Sequence, residues 1–414
     1  MKKWSEELPE QLQLVLRRDR QDLWIAEDIT RREFLKVGVS LAAAASGLGV
    51  VAGCATTEKP KAITLVYPPL PYNKIQPPQE GCLIGFFKEP EASLKMKDSK
   101  FIPQRSPEIE AAKRAKTFGE YVGMLKKENF LQERKRYQID NEMTYVEKAL
   151  GAKPFLFALP WTTTLYEDFP VKQVTAVAKR GIVPFVYGGL GPFDLPIPVP
   201  GFGPKEIAQG QHDGYIKKFA QGAAELGKEY GGFFFTTMDE VNGSWFSWGK
   251  SPNFIPAWRH IWQVFEDQGA NQYATWVWVT YSHSVLPPSM VDNPELYYPG
   301  DRYVDWIGFN GFSVAGSRYS DSSFDSLINR TYRQMLKDHA QKPLMISSFG
   351  RTNEYYQSKW LMNAYSSIKS SFPAIKAVFY FDNTWKLTGD HTLNPKSLQM
   401  LQDIFKDPYW IMGK

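Results

Sequence analysis

The sequence predicts an α/β fold, a single (β/α)8 TIM barrel, because eight short apolar runs alternate with longer segments of helical pattern. The runs are apolar at successive positions, which favours strands of a parallel sheet that is buried on both faces. They lie at residues 82–87, 154–159, 182–187, 232–238, 273–279, 304–310, 343–349 and 375–381. A doubly wound open sheet is the alternative, but its glycine-rich turn is absent after the first run, where Lys88, Glu89 and Pro90 follow.

The segments between the runs carry helix signals. In one of them, apolar residues recur at i, i+3, i+4 and i+7 and form a single stripe that ends at Gly269. The members of this stripe are Trp258, Ile261, Trp262 and Phe265. Asp213 precedes a second stripe of this kind and is predicted to cap its helix.

The N-terminal residues predict export from the cytoplasm. Residues 30–36 (TRREFLK) carry the pair Arg31 and Arg32 in a twin-arginine signal pattern, and the uncharged stretch 37–53 ends at Cys54 in a lipoprotein box. That stretch is shorter and less apolar than the roughly 20 residues of a membrane-spanning helix. We therefore expect a lipid anchor in the cell envelope, on the periplasmic face or at the outer membrane.

Three segments follow from this interpretation. Residues 1–53 are the leader and signal peptide, residues 54–80 are a lipidated, proline-rich tether, and residues 81–414 are the barrel domain. No second linker of the same composition interrupts the last segment, which favours one domain over two. We expect the domain to be monomeric and to be attached to the membrane through lipidated Cys54.

Composition excludes several classes of function. A formal net charge of +5 over 414 residues, without a long run of Lys or Arg, does not indicate a nucleic-acid partner. The five histidines have no paired spacing, so no metal site and no cofactor are predicted. Cys82 has no disulfide partner if Cys54 is lipidated, and no serine lies in a G-x-S-x-G elbow.

The residues after the fourth run are the most informative for chemistry. Residues 238–248 (MDEVNGSWFSW) place a carboxylic acid at a strand's C-terminal end, followed by an amide and two tryptophans. Sugar rings stack on aromatic faces, their hydroxyls pair with amides, and a glycosidic oxygen must be protonated as it leaves. The alternative for Glu240 is a buried structural carboxylate.

The sequence around this run, at this position in the chain, resembles that of glycoside hydrolase family 26, whose members are mostly β-mannanases. The resemblance spans most of residues 81–385 and depends on the order and spacing of several stretches. These are residues 243–248 (GSWFSW), 276–279 (WVWV), 297–308 (YYPGDRYVDWIG), 342–346 (KPLMI) and 372–382 (FPAIKAVFYFD). A β-linked polysaccharide of the mannan type is the partner that this resemblance implies.

The resemblance also implies roles for individual residues. Glu240 takes the place of the family's general acid/base. Asn242 faces the sugar beside the reacting centre, and Asn310 is expected to contact the substrate. Asp239 stands where relatives have a histidine and is also expected to contact the substrate. Four tryptophans are candidate stacking platforms: Trp245, Trp248, Trp278 and Trp385.

The sequence departs from the family at the second catalytic position. At the end of the seventh run, Ser348 stands where the family has its nucleophilic glutamate, and Phe312 stands where relatives often place a tyrosine that holds this glutamate. Retaining hydrolysis needs two carboxylates about 5–5.5 Å apart, so the usual double displacement is in doubt.

Three functional hypotheses follow from this departure. The first is a barrel that binds a β-linked polysaccharide and hydrolyses it poorly, or by a route that uses Asp239, Glu354 or Asp382 as base. The second is a scaffold or assembly lipoprotein of an exopolysaccharide export system. The third is an active β-mannanase-type enzyme with a different second carboxylate.

Overall fold

The computed structural model describes residues 67–88, 107–127, 139–159, 164–191, 197–317, 321–385 and 389–414. The predicted leader with Arg31 and Arg32, and the predicted lipidation site Cys54, lie outside these residues. Among the helices in these ranges, none combines the length and the apolar character that crossing a bilayer requires.

Eight parallel strands form a closed barrel, in which each strand pairs with the next and the eighth returns to the first. The strands are β1 (Cys82–Phe87), β2 (Leu156–Leu159), β3 (Val183–Gly188), β4 (Phe233–Thr237), β5 (Ala274–Tyr281), β6 (Trp306–Ser313), β7 (Leu344–Arg351) and β8 (Ile375–Phe381). The closing register between β1 and β8 runs from Leu83 opposite Ala377 to Phe87 opposite Phe381. All eight predicted strands are confirmed, and the closure excludes the open sheet.

Three short strands complete the sheet structure of the described residues. β9 (Thr384–Trp385) and β10 (Gly389–Asp390) form a small antiparallel hairpin after β8. β11 (Trp410–Ile411) lies parallel to the start of β1, with Trp410 opposite Cys82. β11 therefore adds a short strand beside β1, at the end of the barrel where the strands begin.

Helices cover the outside of the barrel. They are α1 (Pro107–Arg114), α2 (Phe118–Lys127), α3 (Asp140–Leu150), α4 (Val171–Lys179), α5 (Pro204–Ala208), α6 (Asp213–Tyr230), α7 (Phe254–Asp267), α8 (Phe324–Asp338), α9 (Gln357–Ser371) and α10 (Pro395–Ile404). The predicted stripe lies on α7 and is buried. The predicted cap of α6 is wrong: Asp213 is the first helical residue, and its Oδ1 accepts a hydrogen bond from His260 Nε2 at 2.7 Å instead.

Alternating strand residues divide the aromatic core into two layers. Inside the barrel, the ring of Phe185 contacts Phe234 and Phe379, with centroids 5.7 and 5.2 Å apart. Outside it, the ring of Trp276 packs on Phe265 at 5.1 Å. Residues two positions apart on a strand share a face, so the layer to which a side chain belongs follows from the register.

The segment 67–80, assigned to the tether from its sequence, packs on the barrel. Lys74 Nζ lies 2.7 Å from Asp305 Oδ2, and the backbone nitrogen of Ile75 donates to Thr275 Oγ1 at 2.8 Å. The indole of Trp306 donates to the carbonyl of Ile75 at 3.1 Å. These partners lie at or beside the N-terminal ends of β5 and β6, so Lys74 and Ile75 are bound to the barrel.

Candidate functional site

Glu240 lies in a strained turn just beyond β4. Its φ is 52°, and that of Met238 is 49°, so two non-glycine residues adopt the left-handed conformation within three positions. The backbone nitrogen of Glu240 donates to Val279 O on β5 at 2.9 Å, and Gly243 N donates to Glu240 O at 2.8 Å. Such strain costs on the order of 1–3 kcal/mol per residue and persists only where the surroundings impose it.

Two side chains hold the carboxyl group of Glu240. Asn310 on β6 donates from Nδ2 to Oε1 at 2.7 Å, and Trp245 donates from its indole nitrogen to Oε2 at 2.5 Å. Ser347 on β7 donates to Asn310 Oδ1 at 2.6 Å and so fixes which end of the amide faces the carboxyl group. Only 2% of Glu240 is exposed to solvent. Trp245 and Asn310 are sequence-predicted site residues that the structure brings to Glu240, whereas Ser347 was missed.

Burial sets the protonation behaviour of this site. It raises the pKa of Glu240 to about 7, and the hydrogen bonds from Asn310 and Trp245 oppose that rise. The pKa of the adjacent Asp239 is also raised, well above its usual range, first by burial and then by the charge of Glu240. A carboxyl group that titrates near neutral pH is suited to donate a proton to a leaving group.

Ser348 lies on β7 opposite Asn310 of β6, at an irregularity in the register between β7 and β8. It is 3% exposed, and its hydroxyl has no hydrogen-bond partner among the described residues. A serine hydroxyl becomes a nucleophile only when a base removes its proton. No such base is hydrogen-bonded to it in the part of the chain that the structure describes.

Two of the three carboxylates considered as a second catalytic group are held elsewhere. Asp382, at the end of β8, pairs with Lys88 Nζ at 3.0 Å and accepts from Leu393 N at 2.8 Å. Glu354 pairs with Arg351 Nε at 2.8 Å and accepts from Tyr356 N at 2.8 Å. Asp239 remains beside Glu240, where its raised pKa favours the neutral form.

Asn242 does not face the cleft as its sequence position suggested. It is fully buried, its Oδ1 accepts from Tyr281 N at 2.8 Å, and its Nδ2 donates to Tyr281 O at 2.8 Å. The side chain thus replaces a strand partner at the end of β5 and fixes the loop that carries Trp245. Its role here is structural.

The tryptophans separate into different environments. Trp245 is half-buried, beside Glu240, with its ring edge-on to Tyr281 at 4.9 Å. Trp248 is fully buried and donates to Asp239 O at 2.8 Å, so it holds the turn rather than a sugar. Trp278 is fully buried in the outer layer against Tyr298, at 5.0 Å. The backbone of Trp385 belongs to β9, and its side chain lies outside the described part.

Phe312, at the end of β6, packs against aromatic neighbours. Its ring lies 5.3 Å from that of Phe381 and 5.2 Å from that of His391.

In the described residues, no group of three or more His, Cys, Asp or Glu side chains is arranged to bind a metal ion.

The chain is similar to known carbohydrate-active proteins. A family model described as Glycosyl hydrolase family 26 matches residues 205–412. Endoglucanase H of Acetivibrio thermocellus is 29% identical over 205 residues, which make up 44% of this chain and 21% of that protein. The mannan endo-1,4-beta-mannosidase A and B of Caldalkalibacillus mannanilyticus is 23% identical over 209 residues, 48% of this chain and 36% of that protein. The aligned region thus covers well under two thirds of these relatives.

Solved structures agree on the fold. The family 26 domain of an endo-beta-mannanase/endo-beta-glucanase from Prevotella bryantii has a TM-score of 0.52 at 12% identity, covering 80% of this chain and 91% of that one. The catalytic domain of an endo-beta-1,4-mannanase from Bacillus sp. JAMB-750 also has a TM-score of 0.52, at 16% identity, covering 80% of this chain and 87% of that one. The family match includes Glu240 and every strand from β4 onward. By its sequence, and with a barrel that agrees, this chain belongs to glycosyl hydrolase family 26.

Proposed function

We propose that this protein binds a β-linked polysaccharide of the mannan type at the carboxyl ends of its barrel strands, and that it hydrolyses this polymer poorly. The observation that carries the proposal is the state of Glu240. Its carboxyl group is buried, receives hydrogen bonds from Asn310 and Trp245, and has a pKa of about 7. This is the arrangement of a proton donor beside an aromatic ring, which suits the glycosidic oxygen of a bound sugar.

The class of glycan follows from the relatives. The aligned proteins are named as an endoglucanase, mannan endo-1,4-beta-mannosidases and a beta-1,3-xylanase. Three of the four names specify a β-linkage, and the names differ in the sugar. We propose mannan first because two of the four names specify it.

Poor hydrolysis follows from the missing second carboxylate. Ser348 takes the position of the nucleophile, and its buried hydroxyl has no base to activate it among the described residues. Asp382 and Glu354 are held in ion pairs, and the raised pKa of Asp239 favours the neutral acid, which is neither a base nor a nucleophile. The proposal therefore favours holding a polymer over an enzyme that uses one of these carboxylates.

Location at the cell envelope is part of the same proposal. The twin-arginine pattern at residues 30–36 and the lipoprotein box at Cys54 support export followed by lipid anchoring. A tethered barrel would keep a polymer close to the membrane. Replacing both Arg31 and Arg32 by Lys should leave the protein in the cytoplasm, and Cys54→Ala should release it from the membrane fraction; an unchanged membrane fraction in both variants would refute this part.

The decisive experiment compares position 348 variants on mannan, mixed-linkage glucan and xylan. Binding is measured by affinity electrophoresis, and hydrolysis by the release of reducing ends. We expect the wild-type protein to bind at least one glycan and to release few reducing ends, and Ser348→Glu to gain hydrolysis. Ser348→Gln is the matched control, because it adds the same volume without a carboxylate.

A second measurement does not depend on how position 348 accepts a larger side chain. Azide can attack the anomeric carbon of an aryl β-mannoside in place of the absent carboxylate, while the aryl oxide leaves with a proton from Glu240. We expect azide to accelerate release of the aryl group by the wild-type protein. Absence of glycan binding across the panel, or vigorous wild-type hydrolysis without any added anion, would overturn the proposal.

A further inference from the structure

Two adjacent tyrosines stand out on the surface of the barrel. Tyr355 is 79% exposed and Tyr356 is 60% exposed, whereas most aromatic side chains of the described residues lie in the core. Both follow β7 and precede α9, so they belong to the end of the barrel where Glu240 lies. A single exposed ring needs no functional explanation, but two neighbouring exposed rings form a contiguous apolar patch, and such patches are features that mark binding sites.

Ion pairs hold the loop that presents these rings. Glu354 accepts hydrogen bonds from Arg351 Nε and from the backbone nitrogen of Tyr356, each at 2.8 Å. Arg351 also donates from Nη1 to Ser313 Oγ at 2.7 Å and to Asp321 Oδ1 at 2.8 Å. The loop is therefore fixed to the end of β6 through Ser313 and to Asp321, which precedes α8.

A second set of contacts fixes the same loop to the residues after β8. Asn353 N donates to Asp390 O at 2.6 Å, and Asn394 Nδ2 donates to Glu354 O at 3.4 Å. Lys396 Nζ lies 5.7 Å from the ring centroid of Tyr355. The two exposed tyrosines thus lie on a backbone that is held in place by these contacts. Because the backbone is already ordered, the entropic cost of binding a ligand there is small.

The geometry of the rings suits a sugar. Tyr355 and Tyr356 meet edge-on, with centroids 5.1 Å apart and ring planes at 89°. In such a pair one ring directs its edge at the other, so the pair leaves most of its ring faces open to a ligand. Pyranose C–H groups stack on such faces, and the ammonium of Lys396 beside the Tyr355 ring is a group that pairs with hydroxyls. The ion pair between Arg351 and Glu354 lies in the same loop.

We propose that Tyr355 and Tyr356 form a second glycan-binding platform, which holds a pyranose unit of a β-linked chain away from the Glu240 centre. The inference rests on the proposed function, because it assumes that this end of the barrel meets a polysaccharide. A protein partner is the competing occupant. The charged groups around only two rings argue against it, since the cores of protein interfaces are depleted of charge.

The test compares the double variant Tyr355→Ala/Tyr356→Ala with Tyr72→Ala. Tyr72 is a matched control: it is 61% exposed, and its neighbour Asn73 bonds to Gln272 just before β5, at the opposite end of the barrel. The dissociation constant is measured for soluble β-mannan and for β-1,4-mannotriose. We expect the double variant to bind the polymer about tenfold more weakly and the trisaccharide equally well, because the proposed platform lies beyond a trisaccharide bound at Glu240.

Further variants separate the possible results. Tyr355→Phe/Tyr356→Phe keeps both ring faces and should restore polymer affinity. Unchanged polymer affinity in the alanine double variant, or an equal loss in Tyr72→Ala, would overturn the platform while leaving the proposed function intact. Failure of the wild-type protein to bind any β-glycan would instead remove the proposed function on which the platform rests.

Discussion

Asn310 Nδ2 donates to Glu240 Oε1 across 2.7 Å, although β5 lies between the strands that carry the two residues. The other end of the same amide accepts from Ser347 Oγ at 2.6 Å. Asn310 therefore presents its nitrogen to the carboxyl group, and a donor in that place favours the ionised form of Glu240. Hydrogen bonds that run from Ser347 on β7 through Asn310 on β6 to Glu240 thus oppose the rise in the pKa of Glu240 that burial causes.

Replacing Asn310 by Ala should raise the pKa of Glu240 above its value of about 7. Loss of one hydrogen bond to a charged group corresponds to a rise of about one pKa unit. The indole N–H of Trp245 donates to the same carboxyl group, so its ¹⁵N–¹H resonance should report the titration directly. A titration midpoint identical to that of the wild-type protein would show that Asn310 does not tune Glu240.

Replacing Ser347 by Ala should raise the same midpoint by a smaller amount. Without the Ser347 hydroxyl the Asn310 amide is free to turn, and its oxygen then accepts from the protonated carboxyl group. Ser348→Ala is the matched control, because it deletes a neighbouring hydroxyl that has no partner among the described residues. Equal shifts in the two variants would contradict a specific role for Ser347, and Ser347→Cys should restore part of the effect.

The strands were predictable because their burial on both faces leaves continuous apolar runs in the sequence. Trp278 shows the limit of that signal. A run that is apolar throughout does not tell which alternate residues face inward, and the structure places Trp278 in the outer layer against Tyr298. The same argument applies to its neighbour Trp276, which packs on Phe265 of α7.

The place of Glu240 was predictable from the sequence, and the residues that support it were less so. Glu240 follows an apolar strand closely, and the C-terminal ends of strands are where barrels place their chemistry. The partner of Asn242 is the backbone of Tyr281, 39 residues away, and no local pattern reveals a contact of that kind. Ser347 lies at a register irregularity of β7, which follows from pairing with both neighbouring strands rather than from its own sequence.

Glu240→Gln should gain stability relative to the wild-type protein as the pH rises towards 7. Burial raises the pKa of Glu240 from 4.5 to about 7, so the folded state binds more protons than the unfolded state between these values. The contribution of Glu240 to the free energy of unfolding is therefore greatest below pH 4.5 and is lost as the pH rises through 7. Glutamine carries no charge and removes this loss of up to about 3 kcal/mol. Its amide nitrogen faces one of the two N–H donors, from Asn310 or Trp245, and this adds a cost that does not depend on pH.

The measurement is urea unfolding at several pH values. The difference between Glu240→Gln and the wild-type protein should grow from pH 5 to pH 8. Asp403→Asn, at an exposed position paired with Lys406, is the control and should show no such pH dependence in this range. A constant difference across the range would mean that folding does not raise the pKa of Glu240.

Trp245→Phe should weaken glycan binding, whereas Trp278→Phe should not. Phenylalanine keeps an aromatic face at position 245 but loses the N–H that donates to Glu240 at 2.5 Å, so the carboxyl group also becomes harder to ionise. Trp278 is fully buried against Tyr298 and His339, away from Glu240. Binding isotherms with the best-bound glycan test both variants, and weaker binding in Trp278→Phe alone would reverse the two assignments.

Lys74→Met should destabilise the protein by about 3 kcal/mol, at the lower end of the range for a broken buried ion pair. The substitution leaves the buried carboxylate of Asp305 charged and without its ion-pair partner. Its Oδ2 still accepts a hydrogen bond from Trp276 N at 2.8 Å, so the carboxylate remains partly satisfied. Adding Asp305→Asn removes that charge while keeping an oxygen for Trp276, so the double variant should recover part of the loss. Lys406→Met breaks an exposed pair with Asp403 and should leave the free energy of unfolding unchanged. Urea unfolding measures all three variants, and equal losses in the two lysine variants would show that residues 67–80 do not anchor to the barrel through Lys74.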